Sequence, residues 1–88
     1  MTFFQKNEEL RAVDVVISKN HFTLTLKDGR MFKVPFSAHR LLADATESER
    51  KQFEIFGNGV GIHWPLVDED LSVSGLVRDF GDMELKRA

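Results

Sequence analysis

Cysteine and tyrosine are absent from this chain, and proline occurs only twice, at Pro35 and Pro65. Without thiols there is neither a disulfide framework nor a thiolate-bound zinc site. A secreted domain of this size commonly relies on disulfides, so the expected compartment is the cytosol. Long apolar runs are lacking as well. Met1 to Leu10 contains Lys6, Glu8 and Glu9 and so lacks the unbroken apolar stretch of a signal peptide. No segment approaches the roughly 20 apolar residues that span a bilayer, and membrane insertion is not expected. Nor is there an excess of basic charge. A net charge of −2 argues against a generic nucleic-acid binder, which normally carries a surplus of Lys and Arg.

What is present fits one small domain. The 88 residues suffice for one hydrophobic core and not for two. A hydrophobic content of 42% with 30% charged residues lies away from the signature of disorder. Eight phenylalanines and one tryptophan make the core rich in rings. The expectation is a single domain over residues 1–88, with its core at about 11–80 and frayed termini at 1–8 and 82–88. Charge is uneven along it. Between Lys19 and Arg40 stand five basic residues and one acid, Asp28, a local excess of +4 that leaves −6 elsewhere. Such polarity orients charged partners, although solvated strand faces and turn ends give the same pattern.

Hydrophobic alternation predicts a two-layer α+β domain: a β-meander, a helical stretch, a second β-hairpin and a C-terminal helix, with five strands and two or three short helices. In the first strand, Ala12 to Ser18, the residues Val13, Val15 and Ile17 share the face expected to be buried. Phe22, Leu24 and Leu26 then alternate with His21, Thr23 and Thr25. Asp28-Gly29 supplies a turn, and Phe32, Val34 and Phe36 continue beyond it. Pro35 has no N–H to donate, so the third strand should stop there or lie at an edge. Ser37 reads as the N-cap of a short helix carrying Leu41 and Leu42, and Thr46 to Glu49 has capping-box spacing. Strand character returns around Gly57-Asn58-Gly59, with Phe53 and Ile55 before the turn and Val60, Ile62 and Trp64 after it. Pro65 closes that hairpin. The acidic run Asp68-Glu69-Asp70 reads as a solvated turn ahead of a helix over 71–80, whose positive end it would suit, and Gly81 reads as the stop.

No catalytic or metal-binding constellation emerges from the residues. His21, His39 and His63 lack the spacings of zinc motifs. The most suggestive cluster is His63 with Asp68, Glu69 and Asp70, because a turn after a strand can fold an imidazole back toward carboxylates. An outward His63 beside a buried Trp64, with the acids in a solvated turn and helix cap, explains it more simply. Ser18, Ser37, Ser48, Ser72 and Ser74 are not in a nucleophile elbow. Adjacent acids in an exposed run lack the burial that distinguishes a catalytic carboxylate pair. Gly57 to Gly61 matches neither the dinucleotide fingerprint nor the P-loop, and reads as a tight turn. No enzyme activity, cofactor or metal is expected.

The segments Gly61-Ile62-His63-Trp64-Pro65, Asp68-Glu69-Asp70-Leu71-Ser72-Val73 and Gly75-Leu76 resemble a bacterial domain-of-unknown-function family, number 2442. Phe22 to Gly29 is similar to that family's strand and turn, and Leu41 to Thr46 to its helical segment; together these cover about Val13 to Val77. The resemblance implies a small bacterial cytoplasmic α+β domain with no catalytic residues to carry over. It also implies relatives that belong to small gene pairs, some suspected to be toxin–antitoxin systems, and others joined to helix-turn-helix segments. Within these 88 residues no such extra domain is expected.

The leading functional expectation is therefore a non-catalytic protein-interaction module, an antitoxin-like neutraliser of a partner protein such as a toxin encoded by a neighbouring gene. Exposed strand edges offer the route, since their unpaired backbone groups extend a partner's sheet, and the same edges allow a homodimer. The candidate contact residues are Lys27, Arg30, Lys33, His39, Arg40, His63, Trp64, Asp68 and Asp70. One alternative is a small-ligand or catalytic site around His63, Trp64 and Asp70, with Trp64 stacking on a planar ligand. The other is weak nucleic-acid binding through the basic hairpin, marked by steep salt dependence.

Overall fold

Strict alternation in the second strand organises the first sheet. In the computed structural model, which describes residues 10–85, β1 (Ala12–Ile17), β2 (His21–Leu26) and β3 (Met31–Pro35) pair antiparallel in that order. Phe22, Leu24 and Leu26 of β2 and Phe32 and Val34 of β3 are buried on one face. At the turn, the Leu26 N–H donates to the Arg30 carbonyl at 2.8 Å, and Gly29 takes φ +94°. Pro35 is the last residue of β3, opposite His21.

The expected pattern of β1 is only half realised. Its register shifts between Ala12 and Asp14, which face Leu26 and Thr25, so Val13 is an extra, bulged residue. A bulge resets which side chains face inward. Ala12 and Val15 are buried, while Val13 is exposed. The Ser37 cap is also corrected. Ser37 lies inside a 3-10 turn, Phe36–Ala38, and helix α1 (Arg40–Ala43) starts from His39 with no side-chain cap. The second helix, α2 (Glu47–Arg50), has the capping box as expected. Thr46 Oγ1 accepts from the Glu49 N–H at 3.1 Å, and Glu49 Oε1 accepts from the Thr46 N–H at 2.8 Å.

A second antiparallel sheet follows, with β4 (Glu54–Phe56), β5 (Gly61–Trp64) and β6 (Glu69–Ser72) in order. Val60, expected on the strand, lies outside it and is exposed. The strand β6 replaces the expected acidic turn. Asp68 reverses the chain at φ +57°, and Glu69 to Ser72 pair with Trp64 to Gly61. Pairing partners outweigh the weak strand preference of acidic residues. Helix α3 (Val73–Phe80) then begins two residues later than expected, capped by Ser72 Oγ accepting from the Gly75 N–H at 3.1 Å, with no acid in its first turn. Gly81 does not end it in a left-handed conformation; the chain runs into a 3-10 turn, Gly81–Met83. Glu84 bridges Phe32, and the Leu85 N–H donates to the Met31 carbonyl at 2.8 Å, so the chain end covers the outer edge of β3. Of the fraying expected at 1–8 and 82–88, residues 1–8 and 86–88 lie outside the described residues, whereas Glu84 and Leu85 are held against β3.

Both sheets and α3 share one core, in which Phe22 of the first sheet meets Trp64 of the second at a ring separation of 5.4 Å. No polar or charged residue is fully buried among the described residues.

Two glycines should respond oppositely to alanine. At Gly59, φ is +96° and a Cβ would lie 2.7 Å from the Ala12 carbonyl oxygen, whereas Gly81 has φ −60° and open space around it. We expect Gly59→Ala to lower stability by more than about 1 kcal/mol and Gly81→Ala to raise it by roughly 0.4–1 kcal/mol, read from urea midpoints.

Candidate functional site

Strand register assembles the site. On β5, Ile62 and Trp64 point into the core, so His63 points out. The register places Glu54 of β4 opposite His63, and His63 opposite Asp70 of β6. Glu54, His63 and Asp70 thus form a row across the outer face of the second sheet. His63 Nδ1 is hydrogen-bonded to Asp70 Oδ1, with side chains 30% and 66% exposed. Beside the row, Phe56 lies opposite Gly61. Its ring covers the glycine so closely that a Cβ there would meet Phe56 Cζ at 2.3 Å. Gly61 is buried beneath a ring that itself remains 42% exposed. Glu54, Phe56, His63 and Asp70 line a shallow depression of about 280 Å³.

The chemistry available is that of an imidazole, two carboxylates and an aromatic face. Among the described residues no three His, Asp or Glu side chains are grouped to hold a metal. Ser72, opposite Gly61, spends its hydroxyl on the Gly75 N–H and on Ser74. A serine nucleophile is therefore not set beside His63.

Of the sequence candidates, His63 and Asp70 come together. Asp68 does not: it is exposed in the turn before β6. Trp64 is corrected outright as a contact residue. It is fully buried, packs against Phe22 and Phe53, and its indole N–H donates to the Arg50 carbonyl at 2.9 Å. No face of it is available to stack on a ligand. The basic candidates are spread out. Lys27 and Arg30 flank the β2–β3 turn, where Arg30 pairs with Asp28 at 2.9 Å. Lys33 is exposed on β3 opposite Thr23. Arg40 opens α1, beyond the other end of β3, and reaches Asp44 at 3.9 Å. Half-buried His39 precedes α1 with its ring 5.9 Å from Phe80, and its Nδ1 is buried without a hydrogen-bond partner.

Glu54 and Phe56 were missed by reasoning from sequence. A signal existed, since alternation that buries Phe53 and Ile55 turns Glu54 and Phe56 outward; what was not visible was that β6 would bring Asp70 to the same face.

A family model described as "Protein of unknown function (DUF2442)" matches residues 12–81. Among solved structures, the chain is similar to a protein of unknown function from Rhodospirillum rubrum ATCC 11170, at 29% identity and a TM-score of 0.72, over 80% of this chain and 87% of that one. No curated protein matches. No helix among the described residues is long and apolar enough to cross a membrane.

Neighbours on one strand should separate in their effects. We expect His63→Ala to change unfolding free energy by less than about 1 kcal/mol, because its hydrogen bond to Asp70 lies on a solvent-exposed face. Trp64→Ala should cost about 3–5 kcal/mol. Urea denaturation at pH 7 compares the two.

Proposed function

The chain belongs to the DUF2442 family of proteins of unknown function, and from that premise we propose that it acts as a non-catalytic protein-interaction module that docks a partner through the first sheet. The supporting observation is an asymmetry between that sheet's two edges. Glu84 and Leu85 cover the edge of β3, whereas β1 pairs with β2 alone among the described residues. On β1, Val13 and Val16 are 57% and 52% exposed. An edge of this kind presents backbone donors and acceptors to an incoming strand, and exposed β-branched side chains add apolar contact. The bulge at Val13 limits the register such a strand can take. In its narrower form the reading is an antitoxin-like neutraliser acting in the bacterial cytosol on a protein encoded beside it.

Pull-down from the native host followed by mass spectrometry tests this. We expect one stoichiometric protein partner, lost when Val13 and Val16 are both replaced by Lys while the thermal midpoint holds. Recovery of no stoichiometric partner near physiological concentration, or undiminished capture by the double variant, would overturn the reading.

A further inference from the structure

We propose that the depression on the outer face of the second sheet receives a cationic side chain, the guanidinium or ammonium group of an Arg or Lys on the partner protein. This deepens the interaction reading and rests on it. The first support is charge. Two of the four lining residues are the carboxylates Glu54 and Asp70. His63 engages only Oδ1 of Asp70, and among the described residues Glu54 is in no ion pair.

Carboxylates alone would be an ordinary solvated strand face. The ring changes that. Phe56 is held flat over Gly61, one face against the glycine and part of its surface open to solvent. The open face of an aromatic ring attracts a cation through its quadrupole, favouring Arg because a planar guanidinium also stacks. The β-carbon that any other residue would carry at position 61 collides with the ring, so the glycine is what permits this platform.

Spacing is also suitable. Glu54 and Asp70 sit on strands either side of His63, with backbones about 10 Å apart by strand spacing. Side chains reaching up from both sides can flank a cation resting above His63 and Phe56. All four residues stand on adjacent paired strands, so little ordering is needed when the ligand arrives. The −6 balance outside the basic hairpin would favour approach of a cation.

The probe is N-acetyl-arginine methylamide, titrated into 15N-labelled protein and followed by two-dimensional NMR, with the neutral citrulline analogue as control. We expect saturable millimolar binding with shifts centred on Glu54, Phe56, His63 and Asp70, and none from citrulline. Glu54→Gln, Asp70→Asn and Phe56→Leu should each weaken it about threefold. These variants alter exposed side chains, and thermal unfolding checks that each remains folded. Equal shifts from citrulline, or unchanged affinity in a folded Glu54→Gln, Asp70→Asn double variant, would overturn the proposal. Failure here is distinguishable from failure of the interaction reading. A partner captured equally well by that double variant removes the cation pocket and leaves the module standing. A pocket that binds the arginine probe in a protein with no recoverable partner does the reverse.

Discussion

The indole of Trp64 joins the two sheets, and much of the remaining architecture depends on it. One side meets Phe22 of the first sheet and another meets Phe53 before β4. Burial of one such ring system contributes roughly 4–6 kcal/mol of gross hydrophobic stabilisation, a large amount for so small a domain. Its N–H is satisfied by the carbonyl of Arg50 at the end of α2. Arg50 in turn spreads its guanidinium over the Phe36 ring at 4.4 Å and donates to the carbonyls of Lys19, Leu42 and Ala43. The β1–β2 turn, the C-terminal end of α1 and the tryptophan are therefore tied through one residue. Two of those carbonyls, Leu42 and Ala43, close helix α1 and the third, Lys19, lies in the β1–β2 turn, and a charged donor makes strong hydrogen bonds at each.

The same constraint determines the outer face. A strand alternates, so holding Ile62 and Trp64 inward leaves His63 no direction but outward. Pairing then carries the consequence to the neighbouring strands, placing Glu54 and Asp70 in line with the imidazole. The polar row is a by-product of core burial in its position, though not in its composition. Nothing about packing requires two acids and an exposed ring there, and this surplus distinguishes the row from a generic solvated face.

Among the described residues, the two edges of the first sheet differ in what pairs with them. The C-terminal residues Glu84 and Leu85 pair along β3, removing one edge from competition for strand partners. On β1 the bulge turns Val13 outward beside an edge that pairs with no further strand among the described residues. The two surfaces used in the functional reading lie on different sheets, and the shared core holds both in place.

Local patterns determined much of this protein. The β2–β3 hairpin was legible because Phe22, Leu24 and Leu26 alternate without exception and Asp28-Gly29 suits a turn; the Thr46 capping box was legible because its two hydrogen bonds lie within one helical turn. The inward direction of Trp64 and the outward direction of His63 followed from the same period of two. Only tertiary structure decided the rest. The bulge at Val13 arises from matching β1 to β2, and the strand β6 exists because β5 offers backbone partners to a sequence that alone prefers a turn. Glu54, Phe56 and Asp70 become neighbours through pairing across strands up to 16 residues apart in sequence. Periodicity is a property of adjacent residues, whereas register and edge cover are settled by hydrogen bonds to distant ones.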